Sequence, residues 1–166
     1  MQRAASTTGI AATSAKMTDA SVTTGADYHC EITAPVTAEE AFEKIGRVSE
    51  WWAKNFEGRA QRLDDVFTVR WGETFVTFRI TAVAPNTTVV WTVTDSYIGS
   101  LEDKTEWTGT KAAWKIAEKD GATTIQFAHM GLVPAVECYE MCVKGWDQYV
   151  KGSLLQLLTE NKGQPN

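Results

Sequence analysis

The end of the chain constrains its fold more than any other stretch. Strand-patterned segments run from Trp107 to Leu132 and pass across Pro134 into one long amphipathic helix, with Cys138, Cys142, Trp146 and Tyr149 along one face. A helix of that length, with bulky residues on its buried side, needs a broad curved surface to lie against, and the strands before it supply one. The pattern predicts a sheet that grips a helix.

The preceding residues build that sheet. Tyr28 to Thr33 alternates weakly and stops at Ala34-Pro35, as a short first strand does before proline. Thr37-Ala38-Glu39-Glu40 reads as a capping box opening a helix that Gly46 closes, and Val48 to Trp52 reads as a second short helix or turn. It delivers Trp51 and Trp52 together, either to plug the underside of the domain or to line a binding mouth.

From Gly58 onward the period is two. Phe67, Val69 and Trp71, then Val76, Phe78 and Ile80, then Val89, Trp91 and Val93 form the dry face of successive strands, turned at Gly72-Glu73 and Pro85-Asn86. Glu106 to Ala117 reads as strand, Asp120-Gly121 as the strongest hairpin turn, and Thr123, Ile125, Phe127 and His129 as one face of the last strand. The outer face is Thr, Arg, Lys and Gln, so only one face is dry. The last helix, with a stripe through Cys138, Met141, Cys142, Gly145, Trp146, Tyr149, Ser153 and Leu157, is the element long enough to cover it. At Gly145 the missing side chain either brings helix and sheet close or makes room for Trp146. The fold class is α+β, with two short helices after the first strand.

Composition narrows the function. At 166 residues, with 43% hydrophobic and 22% charged, the chain suits one globular domain over residues 27–166. A net charge of −5 without a Lys/Arg cluster argues against a nucleic-acid partner. No apolar run approaches the roughly 20 residues of a membrane span. Three Cys, two of them one helical turn apart where disulfide geometry is poor, predict reduced thiols and a cytoplasmic protein. Residues 1–26, rich in Ala, Ser, Thr and Gly, read as a disordered tail or an over-long start with Met17 as alternative initiator; a faint transit-peptide character is the other reading.

Trp107-Thr108-Gly109-Thr110, His129-Met130-Gly131-Leu132, Gly145-Trp146 with Ser153-Leu154, and Gly163-Gln164-Pro165 near the end together resemble the SRPBCC or START-like superfamily. Within it, the chain from about Tyr28 to Pro165 is similar to proteins related to the activator of heat-shock protein 90 ATPase. The resemblance implies a helix-grip fold, a curved antiparallel sheet around the C-terminal helix with a cavity between them. It implies ligand carriers, polyketide cyclases and co-chaperone modules alike as functions. The separate N-terminal domain of the eukaryotic co-chaperones has no counterpart here, which weighs against that role.

The candidate ligand-binding residues follow from alternation and resemblance together. Trp91, Trp114, Phe127 and Trp146 would be walls; His129, Tyr149 and Asp95 the orienting polar groups; Thr110, beside Ala112, leaves space; Cys142 faces the same side. The same rings also suit a solid core, with His129 and Tyr149 bonded to each other or to backbone. His129 is the natural acid or base were the protein a cyclase- or hydrolase-like enzyme. No nucleophile elbow, phosphate loop or metal-binding string is present, and two thiolates without a third ligand make a poor metal site, so no catalytic residue, metal or cofactor is expected. The expected partner is a small hydrophobic or amphipathic molecule, with a chaperone as the alternative.

Overall fold

The computed structural model describes residues 26–166. The expected tail therefore falls, but for Ala26, outside the described residues. Seven strands form one antiparallel sheet: β1 (Tyr28–Ala34), β2 (Phe56–Gly58), β3 (Val66–Trp71), β4 (Thr74–Ala84), β5 (Thr88–Tyr97), β6 (Lys111–Lys119) and β7 (Ala122–Met130). Their spatial order is β1-β7-β6-β5-β4-β3-β2, so every neighbour is a sequence neighbour except the first strand, which returns to pair with the last. That pairing sets Tyr28 opposite His129 and Ile32 opposite Ile125.

Turn chemistry fixes the hairpins. Asp120 and Gly121 both have positive φ, as a two-residue hairpin turn demands, and Asn86 and Gly72 take the same left-handed region in their turns. Two short helices follow β1: α1 (Ala38–Ile45), whose cap Thr37 accepts from the Glu40 amide at 3.1 Å, and α2 (Val48–Trp51). Strand β2 is an addition to the sequence reading, three residues long and too short to show a period.

Two departures from simple periodicity decide where side chains point. In β5, Asp95 lies opposite Thr77 but Val93 lies opposite Phe78, so Thr94 is an extra residue and a bulge. The alternation reverses there: Thr94 and Asp95 are exposed and Ser96 is buried. The inward position that alternation predicts for Asp95 is thus corrected. The expected strand at Glu106 also starts later, at Lys111; residues 98–110 are a turn-rich loop, and the Trp107-Thr108-Gly109-Thr110 motif lies in it rather than in a strand.

The final helix runs as α3 (Tyr139–Trp146), a π-helical stretch over Asp147–Leu154, and α4 (Leu155–Glu160). Its innermost residues are spaced by four: Cys138, Cys142, Trp146, Val150, Leu154 and Leu158 are all buried. Each step of four overshoots a 3.6-residue turn by about 40°, which would wind such a row off the sheet. The π stretch, with its wider i→i+5 turn, takes that rotation back. Val150 is consequently buried, while the expected stripe residues Met141 and Tyr149 are exposed and half-buried.

The core between sheet and helix is built from Phe67, Phe78, Trp91, Trp114, Ile125 and Phe127, each almost wholly buried. Trp51 joins it, its indole N–H donating to the Ile45 carbonyl at 3.1 Å and its ring edge-on to Trp114. No helix among the described residues is long and apolar enough to cross a membrane.

Candidate functional site

A cavity of about 350 Å³ opens between α3, the β3–β4 hairpin and the 98–110 loop. Trp52, Trp71, Trp107, Trp146, Tyr149 and Cys142 line it. Trp52 stands 4.9 Å from Trp146, ring centre to centre, and Trp107 lies nearly parallel to Trp146 at 5.9 Å. Thr74, Val76, Ile98, Met141 and Asn166 complete the wall, which holds no charged side chain. Gly145 also faces it, and a Cβ built there would meet nothing within 4 Å. The glycine therefore neither brings helix and sheet together nor makes way for Trp146; its missing side chain is part of the opening. Of the adjacent pair expected either to plug or to line, Trp51 plugs and Trp52 lines.

Behind the indoles lies a hydrogen-bond chain whose direction the chemistry of its ends determines. The indole N–H of Trp146 can only donate, so Nδ1 of His129, 3.0 Å away, is the acceptor. The ring proton therefore sits on Nε2 and is donated to Thr110 Oγ1 at 2.9 Å; that hydroxyl in turn donates to the Trp107 carbonyl at 2.6 Å. His129 is 1% exposed, and burial pushes its pKa down from 6.5 to about 3. It is a neutral imidazole with both nitrogens engaged, standing edge-on to Trp107 at 4.6 Å and to Trp146 at 5.8 Å. Neither nitrogen is free to take up a proton from a bound molecule, which removes the support for an acid-base role.

The other predicted residues divide by depth. Cys142, Trp146 and Tyr149 line the cavity; Thr110 and His129 form the layer that holds Trp107 and Trp146. Trp91, Trp114 and Phe127 lie deeper, with Trp114 in ring contact with both of the others, and the indole N–H groups of Trp91 and Trp114 have no hydrogen-bond partner among the described residues. Asp95 is on the opposite face of the sheet. Tyr149 and His129 do not bond each other. Sequence reasoning offered Trp71 among the rings that either pack or line a pocket, and it did not place Trp107 or Gly145 on the cavity. A usable signal was present: rings in mid-strand, such as Trp91, must pack, whereas rings at strand ends and in loops, such as Trp71 and Trp107, face an opening.

The thiols sit in two settings. Trp107 Nε1–H donates to Cys138 Sγ at 3.2 Å, and the neighbouring Cys142 thiol, followed by burial, pushes the Cys138 pKa up. Cys30, raised by burial, lies by the hydrogen bond from the Tyr28 hydroxyl to Asp147. Burial and the Asp147 carboxylate together hold Tyr28 protonated. No group of three or more His, Cys, Asp or Glu among the described residues is arranged to hold a metal ion. A larger hollow, about 640 Å³, lies on the other face of the sheet over the paired Ala113 and Ala128. Its rim is formed by His29, Glu31, Lys115 and Gln126, side chains that suit water, and its volume reflects two short side chains rather than a space inside the fold.

Comparison with known proteins finds likeness in structure alone: no family model matches the chain, and no curated protein sequence does. The solution structure of the Aha1 dimer from Colwellia psychrerythraea superposes with a TM-score of 0.68 at 20% identity, over 83% of this chain and 99% of that one. DynU16, from the dynemicin biosynthetic locus, gives 0.59 at 16% identity over 81% of this chain and 48% of its own. CalU16 from Micromonospora echinospora gives 0.55 at 12% identity, over 74% and 70%. The chain thus shares the fold of these solved structures, and in it a curved antiparallel sheet with two short helices after its first strand grips a long final helix.

Proposed function

We propose that the protein binds a compact, flat, uncharged molecule, hydrophobic or amphipathic, in the cavity between the sheet and the last helix. The observation that carries this reading is the lining: four indoles and a phenol around about 350 Å³, with no charged side chain. A charged ligand would shed its hydration there against no charged side chain among the lining residues. The volume falls at the low end of the range of about 300–1,000 Å³ typical of small-molecule sites, which favours a compact ligand. The lining residues Trp52, Trp71 and Tyr149 carry indole N–H and hydroxyl groups that can donate to carbonyl or ether oxygens. Trp91, Trp114 and Phe127 then act as the floor beneath the site, and His129 and Thr110 hold its walls without touching the ligand.

Native mass spectrometry and tryptophan fluorescence against a library of neutral aromatic ketones, quinones and lipids test the reading, with Gly145→Leu as the filled variant. The expected result is a mass shift and ligand-dependent quenching in the wild type that Gly145→Leu abolishes. No quenching, complex or stabilisation in the wild type, or binding that persists unchanged in the filled variant, sinks it. A second reading is an interaction module that stimulates a chaperone ATPase through its outer surface. The likeness to the Colwellia Aha1 over nearly all of that chain favours it. It predicts stimulation of the ATPase that is equal for wild type and Gly145→Leu.

A further inference from the structure

Three sides of the cavity stand on regular backbone: Trp71, Thr74 and Val76 on a hairpin, Trp52 just after α2, and Cys142 and Trp146 on α3. The fourth, Ile98 and Trp107, stands on the 98–110 loop. That loop is braced internally. Lys104 Nζ donates to the carbonyls of Gly99 at 3.0 Å and Leu101 at 2.7 Å, and the Ile98 amide donates to the Lys104 carbonyl at 2.8 Å. A glycine lies near each end, and Gly109 has a φ of +93°, a conformation that favours glycine.

What holds this braced body to the helix is a reciprocal exchange of two carboxylates. Glu106 reaches from the loop to accept from the amides of Glu137, at 2.9 Å, and Cys138, at 3.0 Å, where α3 has no side-chain cap of its own. Glu137 reaches back to accept from the amides of Glu102, at 3.0 Å, and Asp103, at 3.3 Å. Glu137 is exposed and Glu106 half-buried, so water competes most directly for the bonds that Glu137 accepts. The remaining ties to the helix are the Trp107–Cys138 hydrogen bond, the stacking of Trp107 on Trp146 at 5.9 Å and a long Ser100 Oγ to Met141 Sδ contact of 3.9 Å; towards the sheet the Gly99 amide donates to Thr74 Oγ1 at 3.0 Å and Thr108 Oγ1 lies 2.8 Å from Ser96 Oγ.

The geometry points to the 98–110 loop as a movable wall, which swings from the last helix when the Glu106 and Glu137 carboxylates let go and so widens the cavity for its ligand. The proposal rests on the ligand-binding reading above, but its test uses no ligand. Cys142 lines the cavity at 9% exposure and reports on access to it. In a Cys30→Ser background, reaction of Cys142 with 4,4′-dithiodipyridine, told apart from that of Cys138 by peptide mass spectrometry, is measured for the unclasped variants Glu106→Ala and Glu137→Ala, alongside amide hydrogen exchange. Labelling is expected to accelerate about tenfold or more, together with exchange at the amides of Glu102, Asp103 and Cys138, while the amides of Trp114 and Phe127 stay protected. Labelling that is unchanged in both variants overturns the proposal. So does acceleration that only tracks exchange at Trp114 and Phe127, because access then comes from global unfolding. A wall that moves without any ligand being found defeats the ligand reading alone, and a ligand that binds without the wall moving defeats this one alone.

Discussion

His129 shows how one residue can look catalytic and serve packing. Its ring takes the proton arrangement that the donor-only indole of Trp146 dictates, and burial keeps it neutral with a pKa of about 3. The unfolded chain binds a proton there below about pH 6.5 and the folded chain does not, so the stabilisation is complete above 6.5 and is lost as pH falls towards 3. Over that window the loss is on the order of 5 kcal/mol. Denaturant titrations between pH 5 and 6.5, where most carboxylates are already ionised, are expected to show stability rising with pH in the wild type and a flatter profile in His129→Gln. At pH 7 the same variant should be less stable by about 1–3 kcal/mol, because the amide fits the Trp146 and Thr110 bonds less well than imidazole. An equal slope in both proteins would place the pH dependence elsewhere. The sequence reading found His129 on the dry face, since alternation along β7 is unbroken. It misplaced Asp95, because a bulge is decided by pairing with β4 and leaves no mark in local periodicity.

At the level of elements, the last helix was legible in existence and in general face, but its register was not. A four-residue row read against an α-helical wheel smears around the axis, so Tyr149 seemed a stripe residue and Val150 did not. A π-helical turn behaves as an α-helix with one residue inserted. Removing one residue from it should restore an ordinary helix and leave both flanks in register. Gly152, exposed and without contacts at a built Cβ, is the residue to delete. The deletion is expected to cost no more than about 2 kcal/mol in denaturant unfolding, within the ordinary range for a single change. Deleting exposed Lys144 instead changes the spacing of Cys142 and Trp146 and should cost more, since two buried side chains leave their places. The opposite ranking would refute the insertion account. The hairpins were legible because their turns have few chemical solutions; of the 98–110 loop the polar residues 99–104 read as loop, whereas residues 106–110 read as strand because they run without a break into the alternation of β6.

For the whole molecule, the open space beside Gly145 sets stability and binding against each other. Gly145→Leu puts a good helix former into α3 and fills apolar space, so the folded state is expected to gain about 1 kcal/mol or more, read as a higher denaturation midpoint, while ligand binding disappears. Destabilisation would mean that the cavity relaxes poorly around an added side chain. The same interior joins all seven tryptophans in one run of ring contacts: Trp71 to Trp52, Trp52 to Trp51, Trp91 and Trp146, Trp146 to Trp107, and Trp114 to Trp51 and Trp91. At such separations excitation does not stay where it lands. The indoles form a single optical unit, with a thiol at Cys138 against one end, so light absorbed anywhere in the core can be lost at Trp107. A molecule settling against Trp52 or Trp146 would therefore alter the emission of the entire cluster, and the protein carries its own broadband antenna for whatever enters it.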